Sequence, residues 1–130
     1  MNIPEYALEN LLGYNGRKHI LASGYYLKFE VRKVLVSKQV PHGIAYSFTL
    51  HEPEGDRILG FDNAHPVPHQ GSKFIPPPVA SDHWHRTRSD EGRPYKFESA
   101  DKLLLDFFEE VGRALQELDV PFEVVEDKES

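Results

Sequence analysis

The segment from Ser99 to Pro121 constrains the fold most strongly, because it has the pattern of a long amphipathic helix. Ser99 is a natural N-cap, since its side-chain oxygen can accept a backbone N–H of the first turn. Pro121 lacks a backbone donor and ends the helix. Helically spaced apolar residues predict one buried face, made of Leu104, Phe108, Val111, Leu115 and Leu118. Such a face must pack on another layer, which the rest of the chain has to supply.

Upstream of this helix, apolar and polar residues alternate, as in strands that bury one face. Residues 19–35 are predicted to form the first strand, and a change of phase at Lys33-Val34 indicates a bulge or the strand end. Further strands are predicted at 45–50, 57–62, 82–88 and 95–97, with a short edge strand at 121–125. Short Gly- and Pro-containing connections between the first three favour hairpins.

We therefore predict an α+β fold, in which an antiparallel sheet of four to five strands forms a meander packed by the long C-terminal helix. A short N-terminal helix is expected over 4–12, with Pro4 near its start and Gly13 after its end. The length of 130 residues fits a single domain, 1–130. The acidic residues 126–130 are expected to be a frayed tail.

Composition excludes several classes of protein. The chain has no cysteine, so it has no disulfide, thiolate ligand or cysteine nucleophile. The start of the sequence lacks the basic and apolar regions of a signal peptide. No apolar run approaches the ~20 residues of a membrane-spanning helix. We expect a cytoplasmic protein.

The net charge of −6 is unevenly distributed. From Glu98 onward the sequence has 11 acidic and 3 basic residues, whereas residues 1–97 have 10 acidic and 12 basic residues together with all seven histidines. The acidity therefore belongs to the C-terminal helix and tail, where it can solvate a helix face. The remainder is mildly basic, which leaves binding to nucleic acid open.

A Pro- and His-rich segment separates the third predicted strand from the fourth. Residues 63–80 contain five prolines, which remove backbone donors, so we predict a long loop. Loops of this length in compact domains are often functional. Residues that can act as acid, base or metal ligand lie within this loop or on either side of it: Asp62, His65, His69, His83 and His85.

The spacing of His83 and His85 suggests two chemistries. On a strand both imidazoles point to the same face. One can act as base and the other as acid, as RNA cleavage through the 2′-hydroxyl requires, with Asp62 orienting one of them and His65 as a further candidate. Phosphate contacts are predicted for Lys73, Arg86 and Arg88, and a substrate contact for Asn63.

The same residues also allow other interpretations. His65, His83, His85 and Asp62 could instead be ligands of a divalent metal, in which case that metal would be the only cofactor expected. The loop and the acidic helix could alternatively be contact surfaces of a non-catalytic binding module. His-x-His is a short pattern, and Trp84 is interpreted as a core residue. No phosphate loop, dinucleotide fingerprint, nucleophile elbow or His-Glu-x-x-His motif is present.

Three motifs resemble the TumE-like toxins of bacterial toxin–antitoxin pairs: Gly60-Phe61-Asp62-Asn63-Ala64-His65, Asp82-His83-Trp84-His85, and Tyr95-x-Phe97-Glu98-Ser99-Ala100 before an acidic helix. The resemblance covers about residues 50–118. It implies a toxin whose partner is an antitoxin, expected to carry a DNA-binding domain. A homodimer is also considered. By analogy with other small toxins, the expected activity is that of a ribonuclease-type hydrolase or transferase.

Overall fold

A computed structural model of the chain describes residues 5–38, 40–63, 82–85 and 93–129. The predicted α+β class is confirmed: an open antiparallel sheet packs against a short N-terminal and a long C-terminal helix. In chain order the elements are α1 (Glu5–Leu12), β1 (Arg17–Leu21), β2 (Tyr26–Lys33), β3 (Ile44–His51), β4 (Arg57–Asp62), β5 (His83–His85), β6 (Arg93–Pro94), α2 (Ala100–Glu117) and β7 (Val124–Glu129).

The strands of the described residues form one sheet in the order β6-β5-β4-β3-β2-β1-β7. The first six strands follow the chain as a meander, as predicted. Because α2 crosses the sheet between β6 and β7, the last strand joins the opposite edge, beside β1. The sheet is therefore wider than the four to five strands expected from the sequence.

The strand predicted at 19–35 is two strands joined by a hairpin turn. β1 ends at Leu21, and Gly24 has a φ of 92°, which lets the chain reverse before β2. Leu21 N–H donates to the Tyr25 carbonyl across this turn. Alternation alone did not reveal the break, because the core-facing residues are the odd-numbered ones in both β1 and β2. The predicted end near Lys33 is confirmed.

The core lies between the sheet and α2. Phe107 of α2 lies centrally, and its ring centroid is 5.6–5.8 Å from those of Phe29, Phe48 and Phe61. The buried helix face differs slightly from the predicted one: it comprises Ala100, Leu103, Leu104, Phe107, Val111, Ala114 and Leu115. Leu118 was predicted to be buried but is 48% exposed, because the helix ends at Glu117 and Leu118 is its C-cap.

The C-terminal residues expected to fray are paired instead. β7 extends from Val124 to Glu129 and is antiparallel to β1, with Arg17 opposite Glu129. The Arg17 guanidinium donates to the Asp127 carboxylate at 2.9 Å, so unlike charges help to hold the acidic segment on the sheet edge. The short edge strand predicted at 121–125 is thus shifted toward the C-terminus, and the sequence pattern gave no indication that it continues to Glu129, because all six side chains of β7 are exposed.

The predictions for the fourth strand and for the segment that pairs back on it are refined. β5 covers only His83–His85 among the described residues, and 86–92 lie outside them. The segment that pairs back is Arg93–Pro94 rather than 95–97. Residues 64–81, which include nearly all of the predicted loop, also lie outside the described residues. Neither described helix is long and apolar enough to cross a membrane.

Candidate functional site

The candidate site lies where β4 and β5 pair. Phe61 is opposite Trp84, and the two rings stack on the core side with centroids 5.7 Å apart. Trp84 is therefore partly buried and packs against the core, in line with its interpretation from the sequence. Since side chains alternate along a strand, Asp62 and His85 belong to the other side of the sheet, away from α2. We call this side the outer face.

Asp62 and His85 meet on the outer face. The Nε2 atom of His85 is 3.6 Å from Oδ2 of Asp62, although the two residues are not directly opposite, since His85 pairs with Gly60. Their side chains are 10% and 15% exposed. The carboxylate is close enough to orient the ring, while part of the pair stays accessible. This is the kind of arrangement needed for general acid–base chemistry.

The other predicted participants are described only in part. The backbone of His83 pairs with Asp62 on one side and Pro94 on the other, but its side chain is not described. His65, Lys73, Arg86 and Arg88 lie outside the described residues, as does His69. Their roles stay predictions. Among the side chains that are described, no three His, Asp or Glu groups converge as a metal site would require.

Asn63 binds the backbone of the neighbouring strand. Its amide Nδ2 donates to the Ile44 carbonyl at 2.7 Å, and its Oδ1 accepts from the Tyr46 N–H at 2.9 Å. The residue is only 4% exposed. Because both ends of the amide are engaged with β3, Asn63 fixes the end of β4 and so positions Asp62. This differs from the substrate contact predicted for Asn63.

A buried cluster beside the site was not predicted. His42 Nε2 lies 2.9 Å and 3.1 Å from the two Asp82 carboxylate oxygens, and Tyr46 Oη donates to the same carboxylate at 2.7 Å. The three side chains are almost completely buried. Ile44 N–H donates to His42 Nδ1, so the proton that points to Asp82 is on Nε2. We call these residues the His42–Asp82–Tyr46 cluster.

This cluster anchors the start of β5. Asp82 is 40 positions from His42 and 36 positions from Tyr46 in the sequence, so the cluster joins distant parts of the chain. The Asp82 carbonyl also accepts from Tyr95 N–H. Burial and the adjacent carboxylate raise the pKa of Tyr46 well above its usual value, so the phenol stays a donor. With so little solvent access, the cluster holds the site together and is not itself accessible to a substrate.

The third sequence motif contacts both this cluster and α2. Tyr95 Oη donates to Asp106 of α2 at 2.7 Å, and burial with this carboxylate raises the Tyr95 pKa. The ring of Phe97 lies 4.0 Å from that of His42, centroid to centroid. Asp82 could be singled out from the sequence because it belongs to the second motif. Nothing in the Pro41-His42-Gly43 turn indicated that its histidine would complete the cluster.

Comparison with known proteins agrees with the resemblance drawn from the motifs. The family model described as Toxin TumE matches residues 16–115, which include every strand from β1 to β6 and most of α2. No curated protein and no solved structure matches the chain. The family match extends further toward the N-terminus than the motifs did, into β1 and β2, and it covers well over half of the sequence. The chain therefore belongs to the Toxin TumE family.

Proposed function

We propose that this protein is the toxin of a toxin–antitoxin pair and cleaves RNA by metal-independent acid–base catalysis at Asp62 and His85. Membership of a toxin family supports the biological role. The observation that carries the chemistry is the 3.6 Å approach of the Asp62 carboxylate to the His85 imidazole on a partly accessible face. A carboxylate beside a histidine keeps the ring oriented for proton transfer.

In the proposed reaction, His85 accepts the proton of a ribose 2′-hydroxyl. The 2′-oxygen attacks the adjacent phosphorus, and the bond from phosphorus to the 5′-oxygen breaks. The leaving oxygen takes a proton from a second histidine, for which His83 is the first candidate and His65 the alternative. The products are a 2′,3′-cyclic phosphate and a 5′-hydroxyl. Lys73, Arg86 and Arg88 are the candidates for stabilising charge on the phosphate.

The proposed partner is an antitoxin that covers the site and carries a DNA-binding domain. The family supports an antitoxin partner, and the basic residues of the N-terminal three quarters of the chain suit an acidic partner surface. The RNA substrate would place the toxin in the cytoplasm. A homodimer is compatible with this proposal but is not required by it.

The test is incubation of the purified protein with total RNA, with and without a chelator. The chain supplies a matched control, because His19 and Asp127 form a second His–Asp pair at 3.4 Å on the other side of the sheet. Cleavage that survives the chelator should be lost in His85→Gln and Asp62→Asn and kept in His19→Gln and Asp127→Asn.

Other outcomes would overturn the proposal. Cleavage abolished by the chelator would favour a metal site built from the same histidines. Equal loss in both pairs of variants would indicate a general effect on the fold. No cleavage by the folded wild-type protein would favour a non-catalytic binding module. Growth inhibition on expression, relieved by His85→Gln but not by His19→Gln, is the matching result in cells.

A further inference from the structure

Three lysines lie in one line across the edge of the sheet opposite the candidate site. Lys128 of β7 is directly opposite Lys18 of β1, and Lys18 is directly opposite Lys28 of β2. We call these three residues the lysine row. Directly opposite residues point to the same face with Cβ atoms about 5 Å apart, and like charges in such pairs destabilise a sheet. Two consecutive unfavourable pairs in an acidic protein require an explanation.

The lysine row is on the outer face and leads toward Asp62 and His85. Lys28 is opposite Thr49, Thr49 is opposite Gly60, and Gly60 is opposite His85. Residues that are opposite one another in a sheet share a face, so the lysines and His85 belong to the same line of side chains. Three strand spacings separate Lys28 from His85, which is about 14 Å.

Arg57 fills the one position in this line that has no side chain. A Cβ at Gly60 would be 3.2 Å from the guanidinium Nη1 and 3.3 Å from Cδ of Arg57, so the arginine lies across the glycine. The guanidinium is therefore placed between Thr49 and His85. From the edge of the sheet to the candidate site, every position in this line except that of Thr49 is therefore occupied by a basic side chain.

The charges of these residues also act on His51, which lies beside them on the outer face. Burial lowers the His51 pKa, and a hydrogen bond with the Gly55 carbonyl opposes that shift. The charges of Lys28, Arg57 and Lys18 lower the pKa further. His51 stacks on Tyr26 with nearly parallel rings 4.8 Å apart, and Lys18 Nζ lies 4.2 Å from the centre of the Tyr26 ring. The acidic residues nearest the lysine row on this face, Glu30 and Glu126, are in neighbouring positions and do not interrupt it.

We propose that Lys128, Lys18, Lys28 and Arg57 bind the phosphodiester backbone of single-stranded RNA and direct it toward Asp62 and His85. We call these four residues the cation track. The proposal rests on the proposed ribonuclease function and names a substrate-binding surface for it. The 14 Å from Lys28 to His85 corresponds to roughly four nucleotides at the axial rise of a stacked strand. The like-charge cost within the lysine row is offset when phosphates lie between the ammonium groups.

The experiment measures binding without cleavage. A fluorescent single-stranded RNA of about 12 nucleotides, with every 2′-hydroxyl replaced by 2′-O-methyl, keeps its phosphates but lacks the nucleophile. Its affinity for the full chain is followed by anisotropy over a range of salt concentrations. Four phosphate contacts should give a slope of log affinity against log salt near −2.8, since each contact on a single strand contributes about −0.7.

The test variant is Lys18→Glu/Lys28→Glu, and the matched control is Lys33→Glu/Lys96→Glu. Both change the net charge equally, and both control lysines are exposed and outside the cation track. We expect about 100-fold weaker binding for the test variant, or tenfold per lost contact, with a slope near −1.4. The control should bind within about threefold of wild type, as expected for charges outside the contact surface.

A milder variant separates binding from folding. Lys28→Gln removes one like-charge pair, so its thermal midpoint should equal or exceed that of wild type while its affinity falls about tenfold. Equal losses in the test and control variants would overturn the proposal. So would absence of RNA binding by wild type, or tighter binding of duplex DNA. If the RNA binds as expected but the unmodified strand is not cleaved, the proposed catalysis fails and the cation track stands.

Discussion

Tyr46→Phe tests whether the buried His42–Asp82–Tyr46 cluster stabilises the region that holds the candidate site. The substitution removes one oxygen and leaves the aromatic ring, which is 1% exposed and in contact with the Phe48 ring. The lost hydrogen bond is 2.7 Å long and ends on a carboxylate that is itself buried. Removing a hydrogen bond to a charged group costs about 1.5–3 kcal/mol. Among the residues that the structure describes, the carboxylate would then keep its bonds to His42 alone.

Urea denaturation should report this loss directly. The free energy of unfolding should fall by about 1.5–3 kcal/mol with an unchanged denaturant dependence. For a domain of this size the thermal midpoint should fall by about 5–12 °C. Tyr6→Phe is the control, because Tyr6 is 74% exposed, and it should change stability by less than about 0.5 kcal/mol. A Tyr46→Phe protein as stable as the control would refute the reasoning.

Alkaline pH provides a second measurement on the same variant. The Tyr46 pKa is raised in the folded protein above the value of about 10 for an exposed tyrosine. Its contribution to stability is therefore complete below about pH 10 and is lost as the pH rises beyond it. Wild type should lose more stability than Tyr46→Phe between about pH 10 and pH 11.5. The Tyr95 pKa is also raised, but Tyr95 is present in both proteins and cancels in the difference.

Three further predictions follow from other contacts. Asn63→Ala should lower the free energy of unfolding in urea by about 2–4 kcal/mol, because it removes two buried hydrogen bonds to β3. A decrease below about 1 kcal/mol would contradict the positioning role. In NMR titrations His51 should titrate below pH 6.5, and Lys28→Gln should raise its pKa, whereas an unchanged pKa would mean that the lysine charge does not reach it. Ser99→Ala should lower the free energy of unfolding by about 1 kcal/mol, because the Ser99 hydroxyl accepts from Lys102 N–H at the start of α2, and no change would show that the cap is dispensable.

Much of the fold could be predicted because local patterns report local structure. The alternation around Phe29 and Phe48 predicts strands, and Ser99 and Pro121 limit the long helix, so class and element order follow from residues close together in the chain. The family could be recognised for the same reason: its motifs are short runs at strand ends and before α2. The hairpin at Gly24 was missed because a single glycine between strands of the same phase is a weak signal.

Only the tertiary structure decided which distant residues meet. The sequence by itself placed Asp62 at the end of one predicted strand and His85 within the next, but the β4–β5 register brings their side chains within 3.6 Å. His42 reaches Asp82 across 40 residues, which no periodicity encodes. The lysine row exists because β7 returns to the edge of β1. Strand pairing depends on the whole sheet and on the packing of α2, so these juxtapositions are determined globally, whereas helix caps and strand alternation are determined locally.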